Sequence, residues 1–387
     1  MIWVALIAVL LAAPAVADPW DRGGAIPPSR TGDPALPDAD CTQSYANDAR
    51  KNGPRLRFGI GPRLAGEAGG AQSTPTVPED ARKRDAALVR LRGDRFFAVR
   101  LNRLFMSDGE QGIAQFKALA DRFAALGLEV ELQVRYHPAD ADDGNIAKWL
   151  AFVRRVVDVF GPNERVTGLQ ITNEVNIAFS KNTSDGFYKD AVRALVEGVV
   201  AAKAESKRRG FDDHQQIGFN FAWGLGEQAP FWDKLDDPRL RAAADWVGLD
   251  IYPGTYVPAL PEIVSIGDAF LEGVAQVREC LMPKAGFGRD VPLRIEETGF
   301  PTGPGRPEEL QARRVAELVK AANNYRGTYG ITDFRFFGLR DNNSAGPDFQ
   351  SFFGLLRDDY SEKPAFEVYR SLVARYGAIG PSTGSRP

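Results

Sequence analysis

Two short apolar runs in this sequence end on carboxylates. Leu169-Gln170-Ile171-Thr172 leads into Asn173-Glu174, and Leu293-Arg294-Ile295 leads into Glu296-Glu297, with a turn marked by Gly299 and Pro301. Each reads as a buried strand whose end presents an acid. Two carboxyl groups at two strand ends suit displacement at an acetal carbon such as a glycosidic centre. One acid protonates the leaving oxygen, and the other carboxylate attacks the carbon or activates a water. Alternation along a strand lets only one of Glu296 and Glu297 point inward with Leu293 and Ile295. That parity selects Glu297 for the site and turns Glu296 toward the surrounding helices or a partner such as Arg294. The same parity separates Asn173 from Glu174 unless a bulge or sharp turn ends their strand.

The rest of the chain must hold these ends together. Strand patterns near residues 57, 97, 130, 167, 217, 247, 292 and 333 alternate with helical patterns from 78–91 to 363–376. Such alternation predicts a parallel sheet, and eight units suggest a closed (β/α)8 TIM barrel, a single domain over 54–376. An open doubly wound sheet is the competing architecture, but no Gly-x-Gly-x-x-Gly follows the first strand. Barrel active sites lie at the C-terminal strand ends. Polar residues recur there: Arg100, Asn102 and Arg103; Tyr136 and His137; Asn173 and Glu174; Asn220 and Trp223; Asp250 and Tyr252; Glu296 and Glu297; Arg340 to Asn343.

The formal net charge of −3 is spread without a basic block, so nothing points to nucleic acid or an anionic membrane. Residues 1–17 form a short apolar run ending in Ala15-Val16-Ala17. It reads as a signal peptide cleaved before Asp18, although no Lys or Arg precedes the run. The expected mature protein is secreted, spans no membrane, and is a monomer. Residues 18–53 read as a Pro/Gly-rich lead-in and 377–387 as a flexible tail. Cys41 and Cys280 allow one disulfide in an exported protein, with two separate thiols as the alternative. His137 and His214 lie far apart, and no His/Cys cluster has metal-ligand spacing, so no metal or cofactor is expected.

Asn173-Glu174 on the fourth strand and Glu297 on the seventh resemble the signature of clan A glycoside hydrolases, the retaining (β/α)8 glycosidases. Glu297-Thr298-Gly299-Phe300-Pro301-Thr302 is similar to the nucleophile segment of clan members including plant-type β-1,3-glucanases. Phe353-Gly354-Leu355-Leu356-Arg357-Asp358 and Lys363-Pro364-Ala365 resemble the end of many such barrels. The resemblance implies Glu174 as general acid/base and Glu297 as nucleophile, acting on an oligo- or polysaccharide. It also implies Arg100 near the nucleophile, where a structural ion pair is the alternative.

Asn173 is expected to donate to a sugar hydroxyl and Tyr252 to Glu297. His137 is a candidate contact to a sugar or to Glu174, Trp223 a stacking platform, and Asn220 a further polar contact. For Tyr252, His137 and Trp223, ordinary structural roles compete. The eighth-strand Trp of many clan members is replaced here by Phe336 or Phe337. A transglycosylase would use the same residues, and a carbohydrate-binding barrel would need neither acid. A lyase or aldolase would want a Schiff-base Lys or a metal site at a strand end, and neither is evident.

Overall fold

The computed structural model describes residues 49–62, 77–181, 183–256 and 265–380. Eight strands pair in sequence order: β1 (Arg57–Ile60), β2 (Phe97–Phe105), β3 (Glu129–Arg135), β4 (Val166–Ile171), β5 (Gln216–Ala222), β6 (Trp246–Asp250), β7 (Leu293–Thr298) and β8 (Ile331–Phe336). All pairings are parallel, and β1 against β8 closes the ring with Phe58 opposite Phe334. The helices between them are α1 (Ala81–Arg92), α2 (Gly109–Ala125), α3 (Ile146–Phe160), α4 (Ala191–Arg209), α5 (Ala229–Asp233) and α6 (Pro238–Ala243). Then come α7 (Ile266–Gln276), which runs through a π turn into α8 (Met282–Lys284), α9 (Glu308–Tyr329) and α10 (Pro364–Tyr376). The expected (β/α)8 barrel is the observed fold.

Local chemistry sets the boundaries. The Asp80 carboxylate accepts from the backbone N–H groups of Arg82 and Lys83 and starts α1. Gly210 takes φ 74° and ends α4, a conformation that costs glycine little. The fifth unit divides into α5 and α6 because Pro238, lacking an N–H, opens a helix rather than continuing one. At the N-terminal end of the barrel, Ala378 donates to Leu56 O and Phe96 donates to Ala378 O, both at 2.9 Å. The expected signal peptide and Cys41 lie outside the described residues; Cys280 is disulfide-bonded.

The barrel wall is apolar on its outer face. Phe58, Phe334 and Phe336 pack on Tyr369 of α10 with ring centroids 5.6–6.5 Å apart. Its inner face is charged, where such barrels usually stack branched aliphatics. Asp333 is paired with Arg57 and Arg335, each at 2.7 Å, and Glu131 with Arg335 at 3.2 Å. Gly248 has no side chain because a Cβ there would sit 2.7 Å from Glu296 Cγ, and Gly218 makes the same room for Trp246.

This interior overturns the expected parity of β7. Arg294 and Glu296 point inward, and alternation puts Leu293 and Ile295 on the helix side. Glu296 faces Glu131 and Arg100 instead of the surrounding helices. Burial, and then the charge of Glu131, pushes the Glu296 carboxyl well above the usual range. Burial opposes ionisation of Glu131 too, but Arg335, the hydrogen bond from Glu296 and Arg294 outweigh it and hold Glu131 at about 2. The two carboxyls are thus pushed in opposite directions, Glu296 toward its protonated form and Glu131 toward its ionised form.

Candidate active site

β4 ends at Ile171 and the chain then turns sharply. Thr172 and Glu174 have φ of 63° and 47°, left-handed values that cost a non-glycine residue about 1–3 kcal/mol each. This turn brings Asn173 and Glu174 to one cavity instead of opposite faces. Asp185 ties it down. Its carboxylate accepts from Arg135 Nε at 2.8 Å, Tyr136 N at 2.8 Å and Asn173 N at 3.0 Å. Asn220 of β5 accepts from Glu174 N at 2.9 Å and donates to Asn173 Oδ1 at 2.8 Å. Replacing Asp185 by Ala strands the buried Arg135 charge and releases the turn, so we expect a loss of about 3–5 kcal/mol in urea unfolding. Unfolding within 1 kcal/mol of wild type would show that Asp185 does not hold the turn.

Glu297 enters the same cavity through a register shift. Leu249 pairs with Ile295 but Asp250 pairs with Glu297, so the irregularity absorbs Glu296. Arg100 Nη1 donates to Glu297 Oε1 at 2.6 Å and Tyr252 OH donates to Oε2 at 2.7 Å. Arg100 is itself fixed by Asn102 Oδ1 at 2.7 Å and Gln170 Oε1 at 2.6 Å. Both Glu297 oxygens thus accept from strong donors, the pattern of an ionised carboxylate. Burial, and then the Glu297 charge, raises the Tyr252 phenol, which keeps its proton and remains a donor.

One carboxylate oxygen each of Glu174, Asp250 and Glu297 lies within 4.8 Å of the others. Burial, and then the charge of Glu297, pushes Glu174 up to about 8, against the lowering effects of Arg135, Ser184 and Arg100. Ser184 Oγ donates to Glu174 Oε2 at 3.1 Å. Asp250 is raised for the same reasons, burial first and then the two neighbouring acids. Burial and the charge of Glu297 thus favour the protonated form of Glu174, beside a Glu297 whose two oxygens both accept from fixed donors, an arrangement suited to acid–base chemistry.

The cavity measures about 440 Å³, within the range of small-molecule sites of about 300–1,000 Å³. Of the residues expected from sequence, Asn173, Glu174, Trp223, Tyr252, Glu297 and Phe337 line it. Trp223 Nε1 donates to Gln276 Oε1 at 2.6 Å, which fixes the ring from behind. Asn173 Nδ2 donates to Thr183 O at 2.8 Å, so one of its amide hydrogens is spent on the loop. Arg100 and Asn220 are buried and act through Glu297 and the β4 turn.

His137 stands apart from the cavity lining, stacked on Phe105 at 4.3 Å and edge-on to Tyr188 at 5.1 Å. Burial, then Arg135, lowers it to about 4 and keeps it neutral. Sequence reasoning did not single out Asp185, Ser184 or Phe179, which lie in the loop after β4, nor give Asp250 a role. Asp250 carries the signal used for the other two acids, a carboxylate ending an apolar strand.

The fold defines a class by architecture, a closed (β/α)8 barrel, and solved structures of similar fold include a GH5_18 protein and a beta-glucosidase. In particular, a GH5_18 protein from Streptomyces cattleya in complex with Manb1-4GlcNAc aligns with TM-score 0.59 and 16% identity, covering 86% of this chain and 82% of that one. A GH5_18 from Bifidobacterium longum subsp. infantis aligns with TM-score 0.58 and 15% identity, over 84% and 80% of the two chains. A beta-glucosidase from Thermotoga maritima gives TM-score 0.56 and 13% identity, over 77% and 87%. These identities establish likeness of fold. No family model and no curated protein matches the sequence.

Proposed function

We propose that this chain is a retaining glycoside hydrolase cleaving β-O-glycosidic bonds of an oligo- or polysaccharide. The observation that carries this reading is the approach of Glu174 and Glu297, with oxygens within 4.8 Å across the cavity. A retaining pair is spaced at about 5–5.5 Å, whereas an inverting pair leaves about 6.5–9.5 Å for a water. Glu174 donates its proton to the glycosidic oxygen as Glu297 attacks the anomeric carbon. The C–O bond breaks, the alcohol leaves, and a glycosyl ester remains on Glu297. Glu174, now a carboxylate, takes a proton from a water that attacks the anomeric carbon; the bond from that carbon to Glu297 breaks, the sugar leaves, and Glu174 is again an acid and Glu297 a carboxylate.

Arg100 and Tyr252 hold the attacking carboxylate and stabilise its charge in the resting enzyme. The ligand of the Streptomyces cattleya structure, Manb1-4GlcNAc, supports a β-linked sugar here. Export is supported by the apolar run at 1–17 and the disulfide at Cys280.

The test is covalent labelling. A panel of 2-deoxy-2-fluoro glycosyl fluorides and dinitrophenyl glycosides is incubated with the protein, and the adduct is mapped by peptide mass. We expect one fluorosugar on Glu297. A label on Glu296 would reject the assignment of the two β7 acids. No label from any sugar, together with no reducing ends released from natural polysaccharides, would leave a barrel that binds carbohydrate without cleaving it.

A further inference from the structure

The loop that carries Glu174 also carries Phe179, the most exposed large aromatic among the described residues, at 71%. This loop is tied down rather than loose. Asn176 accepts from Ala222 N at 3.0 Å and donates to Ala222 O and Leu225 O, both at 2.8 Å. Ile177 N donates to Glu174 O at 2.8 Å, and Ser184 N donates to Ser180 O at 3.1 Å. An apolar ring held in water by a fixed backbone contributes nothing to the core. It lines the cavity instead, together with Ile177 and Leu225.

We propose that Phe179 is the platform for the leaving-group sugar, an inference that rests on the glycosidase reading. The leaving oxygen must come within about 2.6–3.2 Å of Glu174 to be protonated. The departing residue therefore lies beside the loop that bears Glu174, and Phe179 is the ring that this loop presents. A flat aromatic face suits the C–H face of a pyranose. The aromatic rings beside Glu297 are committed to one another, Tyr252 with Tyr256 at 5.2 Å and with Phe337 at 6.0 Å, and they line another part of the cavity. The substrate class is thus a glycan with a sugar on the leaving side, rather than a small alcohol glycoside.

The experiment compares two leaving groups on the same retained sugar. Wild type, Phe179→Ala and Phe179→Trp are assayed on β-linked disaccharides of glucose, mannose and N-acetylglucosamine, and on the matching β-glycosyl fluorides. Fluoride departs without any sugar to stack. We expect Phe179→Ala to lose about tenfold in kcat/KM on the disaccharide, to stay within about twofold on the fluoride, and Phe179→Trp to recover most of the loss. Equal losses on both substrates would show a structural role and overturn the proposal. So would an unchanged disaccharide rate. Wild type inactive on every disaccharide and fluoride would sink the glycosidase reading and this inference with it, an outcome distinct from active wild type with an unaffected variant.

Discussion

We expect alanine in place of Glu297 to abolish turnover: on any glycoside the wild type cleaves, kcat should fall by about 10⁴-fold or more. The size of the effect follows from what is lost. In the proposed mechanism Glu297 is the group that attacks the anomeric carbon, and Arg100 and Tyr252 both spend a hydrogen bond on holding it. Glu296 cannot take its place, because it is turned into the barrel interior toward Arg100 and Glu131. The deleted side chain leaves a space that a small anion can enter. Added azide is expected to restore part of the rate by attacking from the face that Glu297 used. That single displacement gives a glycosyl azide of inverted configuration, which NMR identifies. Arg100 keeps Asn102, Gln170 and the nearby Glu131 and Glu296, so the variant should fold, as circular dichroism would verify. Residual activity within a hundredfold of wild type would remove Glu297 from the mechanism.

The barrel was legible because each unit advertises itself: an apolar strand, then an amphipathic helix, then a Gly stop such as Gly210. The two acids were legible because each ends a strand. What could not be read was which way each side chain points. The parity of β7 assumed an apolar interior, yet this barrel fills its interior with Arg57, Arg294, Arg335, Glu131 and Asp333. The branched aliphatic residues of β7 therefore mark the helix side, and Glu297 reaches the site through an irregular register instead of by alternation. The inversion was hinted at by the alternation itself: Glu129-Val130-Glu131-Leu132-Gln133-Val134-Arg135 places every polar side chain on one face of a strand that is buried on both. Asp185 and Phe179 gave no such hint. Their roles depend on how the loop after β4 folds back, and nothing local in the sequence encodes that closure.

Glu174 carries the second large effect, and its signature is in the pH profile. The acid must be protonated in the free enzyme to help the leaving oxygen depart. Burial, and then the Glu297 charge, raises it to about 8. kcat/KM should therefore be flat across neutral pH and fall through an alkaline limb centred near 8, with about a tenfold loss per pH unit beyond it. Glu174→Ala should cost about 10²–10⁴-fold on natural glycosides and lose that limb. With dinitrophenyl glycosides the leaving group departs without a proton, so the first step survives and the glycosyl-enzyme accumulates as a burst. In that intermediate Glu297 is an ester without charge. One of the two main influences raising Glu174 has then vanished, while Arg135 and Arg100 still lower it. In the proposed mechanism the same carboxyl that is an acid in the first step thus becomes a competent base for the second. An alkaline limb that persists unchanged in Glu174→Ala would assign the proton to another group, and Asp250, raised by the same neighbours, would be the first to examine.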